Sequence, residues 1–549
     1  MNTLYYGDNL DILRRYLKDE TVDLVYLDPP FKSNQDYNVL FQEQNGSRSA
    51  AQIKAFGDTW RWDRAAAEAY EEVVEAGGPV SRAMQAFRTF LGENDMLAYL
   101  SMMAPRLMEL HRVLKPTGSI YLHCDPTASH YLKMLMDAVF GPAQFRNEII
   151  WERTVSHNIR TKGYVRANDT ILYYSKTTQF VFNDQYTAYG PEQMRRYKPD
   201  ETGRLYKAEN LTFSSPNLSR QFEWRGAKPP PYRSWGASLE QLEEWYAQGR
   251  ILLKQDGTPR LDGLKVYLDE TKGKPVSTNW ADIPRIGNTS AERLGYPTQK
   301  PEALLERIVA ASTNEGDTVL DPFCGCGTTV AAAQKLKRRW IGIDITHLAI
   351  TLIKHRLYDA FGDRATYKVI GEPVSLPDAQ DLAVHDPYQF QWWALGLVGA
   401  RPVEQKKGAD RGIDGRLYFH DEGEGGKTKQ IILSVKAGNV TVAHVRDLRG
   451  VLDREKAEIG VLISMEEPTK QMRAEVAGAG FYLSPVWGRK HPRLQVLTVA
   501  ELLEGKRIDY PPSGQVNVTF KKAPKAKARE AEQLTLAAED KAEYRTKGR

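Results

Sequence analysis

The sequence has few cysteines, no long apolar run and little excess charge. Its three cysteines (Cys124, Cys324 and Cys326) are too few for a disulfide framework, and the single Cys-x-Cys has no second pair with which to bind zinc. We therefore expect all three to be reduced and packed. No apolar run reaches the roughly 18 residues that a membrane span needs. The start, MNTLYYGDNL, lacks the basic region and apolar core of a signal peptide, so a cytoplasmic protein is expected.

The formal net charge of +5 is concentrated near the last residues of the sequence. Residues 521–549 contain nine Lys or Arg and five Asp or Glu, a net +4, which leaves +1 for all the others. The segment 511–549 is also poor in large apolar residues, and it is predicted to be a charged, disordered tail. Such a tail either aids solubility or attracts a polyanion nonspecifically.

The length of 549 residues predicts roughly three to four domains. Apolar strands alternate with helical patterns over 1–175, and the same rhythm returns over 291–370, which indicates one α/β domain with a parallel sheet. Between these halves, 176–290 loses the alternation and mixes basic with aromatic residues. Residues 371–388 are interpreted as a linker, and 389–510 as a second α/β domain. An interrupted α/β domain followed by a smaller one is the expected architecture.

The stretch VDLVYLDPPF (22–31) ends a buried strand in an acid, two prolines and a phenylalanine. Continuous apolar residues are typical of a parallel strand that is covered on both faces. Pro29 and Pro30 end the strand, because neither can donate a backbone hydrogen bond. Asp28 is therefore expected at the carboxyl end of a strand, where open α/β sheets bind their ligands.

The stretch TVLDPFCGCGTT (318–329) predicts a strand, a glycine turn and the start of a helix. No lysine follows Gly327, which disfavours a triphosphate loop, and Val330 stands where a dinucleotide fingerprint has its third small residue. Asp321 beside the turn would repel a pyrophosphate and suits a cationic ligand such as S-adenosylmethionine. Asp344 ends the next predicted strand, where a carboxylate can accept ribose hydroxyls.

These motifs resemble the β class of S-adenosylmethionine-dependent DNA amino-methyltransferases over residues 1 to about 355. LDPPF is similar to the catalytic motif of that family, LDPFCGCGTT to its cofactor loop and GYPTQKPEALLERIV to the segment before the loop. Their order, catalytic motif first, is that of the β class and implies a circularly permuted Rossmann-like sheet. The resemblance implies that the residues at the cofactor are Asp8, Thr298, Gln299, Lys300, Asp321, Pro322, Phe323, Gly325, Gly327, Thr328 and Asp344.

The resemblance also implies the chemistry of the catalytic motif. Asp28 and the Pro29 carbonyl would accept the amine hydrogens of a base, Pro30 would stiffen the turn and Phe31 would stack on the base. The base must be flipped out of a duplex to reach them. Asp at position 28 favours adenine N6, with cytosine N4 as the alternative.

The region 176–290 occupies the place of a target recognition domain, so double-stranded DNA is the expected partner. Its candidate DNA contacts are Arg195, Arg196, Arg225 and Arg233. Whether the protein acts as a monomer or a homodimer is left open.

The segment 389–485 resembles the Mrr-type restriction endonucleases of the PD-(D/E)xK superfamily. The resemblance implies that Asp414 and Lys436 act in cleavage and that Asp414 and the Val435 carbonyl bind Mg²⁺. The chain departs from the family pattern at Ser434, where Glu or Gln is usual, and at Gln391, where an upstream helix usually has Glu. Two interpretations follow: an active nuclease, or a domain that binds DNA without cleaving it.

Overall fold

The computed structural model describes residues 1–30, 61–154, 163–165, 167–214, 217–287, 290–296, 298–403, 412–421, 428–511 and 524–525. Phe31 and almost all of the predicted tail lie outside these ranges. The chain divides into two compact units, one made of 1–183 with 278–549 and the other of 184–277. The second unit lies inside the predicted inserted domain, whose limits of 176 and 290 stay predictions. Within the described ranges, no helix is both long and apolar enough to cross a membrane.

The first part of the larger unit alternates strands and helices. Its strands are β1 (Asn2–Tyr6), β2 (Val22–Leu27), β3 (Leu114–Cys124), β4 (Phe145–Glu152) and β5 (Asn168–Ser175). Its helices are α1 (Asn9–Tyr16), α2 (Arg64–Glu75), α3 (Gly78–Leu91), α4 (Asp95–Val113) and α5 (Ser129–Phe140). The alternation of strands and helices that the sequence predicts here is confirmed.

The smaller unit is built from short antiparallel strands. They are β6 (Tyr186–Thr187), β7 (Lys198–Pro199), β8 (Leu205–Glu209), β9 (Thr212–Phe213), β10 (Ser234–Trp235), β11 (Ile251–Leu253), β12 (Pro259–Tyr267) and β13 (Lys274–Pro275), with helices α6 (Pro191–Met194) and α7 (Leu239–Ala247). β11, β12, β8 and β7 form its largest sheet in that order. Trp224, Trp235 and Leu242 are buried in a small core of its own.

The larger unit resumes with the elements that complete its sheet. They are β14 (Asn279–Trp280), β15 (Thr318–Asp321), β16 (Arg339–Asp344) and β17 (Tyr367–Ile370), with α8 (Glu302–Ser312), α9 (Thr328–Lys335) and α10 (His347–Phe361). The nine strands lie in the order β14, β4, β5, β3, β2, β15, β16, β1, β17. β2 lies between parallel neighbours β3 and β15, and all six of its residues are buried. The expected α/β, Rossmann-like sheet with interrupted connectivity is confirmed. Unlike the parallel sheet that the sequence predicts, it is not parallel throughout, because β5 pairs antiparallel with β3 and β4.

A second α/β domain follows. Its helices are α11 (Leu376–His385), α12 (Pro387–Leu397), α13 (Val442–Glu455), α14 (Lys470–Ala477) and α15 (Val499–Leu503). Its strands are β18 (Arg401–Pro402), β19 (Gly415–His420), β20 (Thr428–Lys436), β21 (Ile459–Ser464), β22 (Phe481–Leu483), β23 (Lys490–Pro492) and β24 (Leu494–Thr498). β18, β19, β20, β21 and β24 form a five-stranded sheet.

The segment 371–388 differs from its interpretation as a linker. It contains helix α11, whose Ala379 and Ala383 are buried in the core of the second α/β domain. Pro377 and Pro387 lie in the first turns of α11 and α12, where a missing N–H costs no helical hydrogen bond. Gln389 of α12 also accepts a hydrogen bond from the His347 N–H at 3.1 Å, which attaches this domain to α10.

Asp23 on β2 joins the two halves of the large sheet. Its side chain is buried and accepts hydrogen bonds from Lys115 Nζ at 2.8 and 2.9 Å and from the Thr318 N–H at 2.9 Å. Lys115 belongs to β3 and Thr318 to β15. The carboxylate therefore links the catalytic strand to both of its neighbours.

Replacing Asp23 by alanine should destabilise the protein, because the Thr318 N–H loses its buried acceptor. The expected loss in the free energy of unfolding is about 1–3 kcal/mol. Asp19→Ala is the matched control, since Asp19 forms an exposed ion pair with Arg112 and should cost less than about 1 kcal/mol. Urea denaturation followed by circular dichroism measures both, and equal losses would contradict the linking role.

Candidate active site

The catalytic motif begins where β2 ends. Asp28 follows Leu27 directly, and the Lys300 ammonium donates a hydrogen bond to Asp28 Oδ2. Both side chains are largely buried, with 16% of Asp28 and 13% of Lys300 exposed. The resemblance placed Lys300 at the cofactor, and the structure places its ammonium on Asp28, the predicted catalytic acid. The partners of Phe31 lie outside the described residues.

The glycine loop between β15 and α9 needs its glycines at two positions. Gly325 and Gly327 have φ values of +49° and +75°, in the left-handed region that favours glycine. A Cβ at Gly327 would lie 2.7 Å from Ile353 Cγ1, and one at Gly325 would lie 3.1 Å from the Tyr296 ring. The loop is therefore held tightly between α10 and the segment that contains Tyr296.

Two buried carboxylates organise this loop. Asp344 Oδ2 accepts a hydrogen bond from the Gly325 N–H at 2.9 Å, and its Oδ1 accepts two from Thr346. Asp321 Oδ1 accepts one from the Phe323 N–H at 3.0 Å. Burial raises the pKa of Asp344 to about 6 and that of Asp321 to about 7, against these hydrogen bonds. Because burial disfavours their ionised forms, a cationic ligand beside them would be stabilising, as the positive charges of S-adenosylmethionine would be.

The N-terminal acidic element is attached to the same loop. Asp8 caps α1 and forms an ion pair with Arg106 at 2.8 Å. Asn9 accepts a hydrogen bond from Arg106 Nε at 2.6 Å and donates one to the Pro322 carbonyl at 2.8 Å. The predicted position of Asp8 at the cofactor stays a prediction. Sequence reasoning missed Asn9 and Arg106. The helical pattern of α4 does not distinguish Arg106 as a site residue.

The segment before α8 contacts the loop from the other side. Thr328 Oγ1 donates to the Lys300 carbonyl at 3.3 Å, and the guanidinium of Arg356 donates to Thr328 Oγ1 at 3.1 Å and to Glu302 at 2.9 Å. Gln299 binds the backbone of Glu292 and Leu294 within its own segment. Arg356 was missed, because it lies 28 positions after Thr328 on a different helix.

The catalytic motif and the glycine loop lie at the same edge of the sheet. β2 and β15 are parallel, with Leu24 opposite Val319 and Val25 opposite Leu320, so both strands end there. The charge of Asp28 contributes to the raised pKa of Asp321 and to that of Tyr296, after the larger effect of burial. The structure thus brings the predicted catalytic acid and the predicted cofactor loop together.

A second group of predicted site residues lies in the C-terminal α/β domain. Asp414 precedes β19, and its Oδ2 accepts hydrogen bonds from the Val435 N–H at 2.7 Å and from the Ser434 hydroxyl at 3.0 Å. Lys436 Nζ lies 3.8 Å from the same oxygen. Over the described ranges, no cluster of three His, Cys, Asp or Glu could hold a metal ion. Among the described residues, Asp414 supplies one carboxylate to this group and its Oδ2 is already hydrogen-bonded, so the geometry gives no support for Mg²⁺. The predicted Mg²⁺ and cleavage stay predictions.

Gly327→Ala should weaken cofactor binding, because the added methyl group would collide with Ile353. The matched control is Gly316→Ala: Gly316 has a φ of +86° but nothing within 4 Å of an added Cβ. Both variants should bear a backbone cost of about 1–2 kcal/mol. Only Gly327→Ala should bear a further cost of about 1–3 kcal/mol from overpacking and lose about tenfold in S-adenosylmethionine affinity. Thermal unfolding and titration calorimetry measure these values, and equal behaviour would refute the tight fit of the loop.

Comparison with known proteins agrees with this geometry. The family model described as DNA methylase matches residues 22–355, more than half of the chain. A second model, described as NACHT-associated inactive Restriction Endonuclease 1, matches residues 389–504.

Individual relatives are more distant. The Type II methyltransferase M.EcaI of Enterobacter cloacae is 28% identical over 359 residues, which are 65% of this chain and 69% of the relative. The StyLTI Mod subunit, a Type III restriction-modification enzyme of Salmonella typhimurium, is 25% identical over 68% of this chain and 55% of its own length. The structure of TTHA0409 from Thermus thermophilus, complexed with S-adenosyl-L-methionine, covers 68% of this chain and 100% of its own at 17% identity, with a TM-score of 0.33.

The match of the family model over most of the large sheet, together with the shared edge for Asp28 and the glycine loop, identifies the family: the chain belongs to the DNA methylases that modify N6 or N4 amino groups and use S-adenosylmethionine.

Proposed function

We propose that the chain transfers a methyl group from S-adenosylmethionine to N6 of adenine at a specific site in double-stranded DNA, as the modifying part of a restriction-modification system. The observation that carries the proposal is the position of Asp28 at the sheet edge that also holds the glycine loop. Asp at position 28, rather than Ser, is the commoner residue among adenine methylators of this family, so adenine N6 is preferred to cytosine N4.

The residues of the motif act on the acceptor amine. The exocyclic nitrogen is a poor nucleophile, because its lone pair is delocalised into the ring. Hydrogen bonds from both amine hydrogens, one to the Asp28 carboxylate and one to the Pro29 carbonyl, would favour a pyramidal nitrogen. Such a geometry requires the nitrogen about 3 Å from each acceptor. The cofactor supplies an electrophilic methyl group on a sulfonium.

Lys300 prepares Asp28 for this task. Its ammonium bonds to Oδ2 and so orients the carboxylate before a base arrives. The amine hydrogen would then be accepted by Oδ1. Stacking of the base on Phe31 remains part of the proposal and lies outside the described residues.

Recognition of the target is assigned to the inserted region 176–290. Arg225 forms an ion pair with Glu243 at 2.7 Å, and Arg233 donates to the Thr212 carbonyl at 2.6 Å, so both serve the fold of this unit. Arg195 and Arg196 are exposed just after α6. These two are the better candidates for phosphate contact, since a guanidinium at the surface can reach the DNA backbone.

Asp28→Ala should lower methyl transfer by about 100-fold or more, because the amine loses one of its two acceptors. S-adenosylmethionine binding should be retained. Asp125→Ala is the matched control, since Asp125 follows the neighbouring strand β3, also precedes a proline and caps the Ala128 N–H. Transfer of labelled methyl groups to duplex DNA, calorimetry with the cofactor and mass spectrometry of the modified nucleoside are the measurements.

Undiminished transfer by Asp28→Ala would refute the catalytic role. N4-methylcytosine as the product, in place of N6-methyladenine, would replace the base assignment and leave the methyl transfer intact.

A second proposal concerns residues 389–504, for which we infer a restriction endonuclease-like domain that contacts DNA without cleaving it. The supporting observation is that Asp414 Oδ2 accepts hydrogen bonds from Val435 and Ser434 and lies near Lys436. A carboxylate oxygen with these partners is poorly available to a metal ion, and Ser434 supplies no second carboxylate. The domain also contacts the methyltransferase part through Gln389 and His347.

This second proposal is tested by plasmid nicking in magnesium buffer, on methylated and unmethylated DNA. The parent, Asp414→Ala and Lys436→Ala should all leave supercoiled DNA intact at the background rate, because no metal activates a water there. Cleavage by the parent that both substitutions abolish would contradict the proposal and restore the nuclease interpretation.

A further inference from the structure

Three buried polar side chains form a chain of hydrogen bonds beside the catalytic motif. Tyr26 of β2, His123 of β3 and Asp169 of β5 are 2%, 0% and 3% exposed. Tyr26 Oη lies 2.9 Å from His123 Nδ1, and His123 Nε2 lies 3.2 Å from Asp169 Oδ2. At the far end, Arg153 Nε lies 3.3 Å from Asp169 Oδ1. The chain therefore crosses three neighbouring strands of the sheet.

This series of hydrogen bonds begins at Tyr26, two residues before Asp28. Tyr26 is opposite Tyr121 in the pairing of β2 with β3, and His123 follows Tyr121 by two residues, so the side chains of Tyr121 and His123 lie on the same face. Burial raises the pKa of Tyr26, and the charge of Asp28 is the largest of the charge effects that add to it. The hydroxyl at the start of the chain thus lies within the electric field of the catalytic carboxylate.

One arrangement of hydrogens satisfies all three groups. Burial acts to raise the pKa of Asp169, but the His123 hydrogen bond and the positive charges of Arg153 and Lys300 outweigh it and lower the pKa. The ionised Asp169 then accepts the Nε2 hydrogen of His123. His123 Nδ1 becomes an acceptor, and the Tyr26 hydroxyl donates to it. The orientation of each group is set by the next.

Core stability alone does not explain three such residues. Buried polar groups cost more than apolar residues of similar volume unless every hydrogen bond is made, so a purely structural position favours apolar side chains. The preceding residues of β2 (Leu24 and Val25) are apolar and fully buried. Apart from Asp23, whose carboxylate bonds to Lys115 and to the Thr318 N–H, Tyr26 is the one polar residue of β2, and it lies two positions before Asp28. Lys300 relates the two carboxylates to each other, because its ammonium bonds to Asp28 and its charge helps to lower the pKa of Asp169.

We propose that Tyr26, His123 and Asp169 are positioning residues that fix the end of β2, so that the Asp28 carboxylate and the Pro29 carbonyl face the acceptor amine together. The inference rests on the proposed methyl transfer to an amine. It adds a function for residues that do not themselves touch the base or the cofactor. The hydrogen bond between Tyr26 and His123 attaches the end of β2 to β3. The hydrogen bond between His123 and Asp169 fixes the orientation of the histidine ring.

The test is a double-mutant cycle on methyl transfer to duplex DNA, with Tyr26→Phe, Asp169→Asn and the double variant. Each single variant should lower kcat by about 10- to 100-fold, because a small misplacement of the acceptors is costly. The KM for S-adenosylmethionine should be unchanged. The double variant should be no slower than the slower single variant, because the two residues act as one unit.

Tyr121→Phe is the matched control. Tyr121 is a buried tyrosine on the adjacent strand, opposite Tyr26. Its hydroxyl bonds to Ser312 at 2.8 Å and takes no part in the hydrogen bonds of Tyr26, His123 and Asp169. It should keep the kcat of the parent, and its unfolding midpoint should fall as much as that of Tyr26→Phe. If Tyr26→Phe fails to fold, the near-isosteric Asp169→Asn alone still tests the chain through the split between kcat and KM.

Values of kcat for the single variants within twofold of Tyr121→Phe would overturn the inference, as would losses that multiply in the double variant. Either result would leave the proposed function intact as long as the parent transfers methyl groups. A parent that transfers none, with Asp28→Ala unchanged from it, would remove the proposed function and this inference with it.

Discussion

Parallel pairing between β2 and β15 is the constraint on which the site depends. The two strands are separated by almost 300 residues of sequence, yet Leu24 lies opposite Val319 and Val25 opposite Leu320. Parallel neighbours end at the same edge, so this one pairing brings Asp28 beside the glycine loop. Asp23 stabilises this pairing by accepting a hydrogen bond from the Thr318 N–H. The ion pair of Lys300 with Asp28 adds a contact between the end of β2 and the segment that precedes α8.

Electrostatic balance at this edge favours a cation. Asp321 and Asp344 are buried, and burial raises the pKa of each carboxyl group. Their oxygens accept hydrogen bonds from backbone N–H groups of the glycine loop. Their ionised forms lack the solvent that would stabilise them. A ligand that brings positive charge would compensate for this burial, which is a physical reason for the loop to bind a sulfonium cofactor in preference to a phosphate.

The sequence was sufficient for the elements and motifs but not for the contacts between them. Continuous apolar residues predicted β2 as an inner parallel strand, and the glycines at 325 and 327 predicted the turn that the structure has. The ion pair between Lys300 and Asp28 could not be predicted, because it joins positions 272 residues apart. Arg106 and Arg356 were missed for the same reason: each is one residue of an ordinary helical pattern. The fold brings Arg356 to Thr328, and Arg106 to Asn9, which in turn bonds to the Pro322 carbonyl. The segment 371–388 differs from its interpretation as a linker, because its helix α11 buries Ala379 and Ala383 against residues that are distant in sequence.

The hydrogen bonds that join Tyr26, His123 and Asp169, and the ion pair of Lys300 with Asp28, support one proposal: the Asp28 carboxylate is positioned by several strands at once. The most direct measurement is a crystal structure of the protein with a non-reactive cofactor analogue and its duplex target. We expect the flipped base to place its amine nitrogen about 3 Å from both Asp28 and the Pro29 carbonyl, facing the cofactor sulfur. A bound base whose amine contacts neither acceptor, with Lys300 alone on Asp28, would contradict the account.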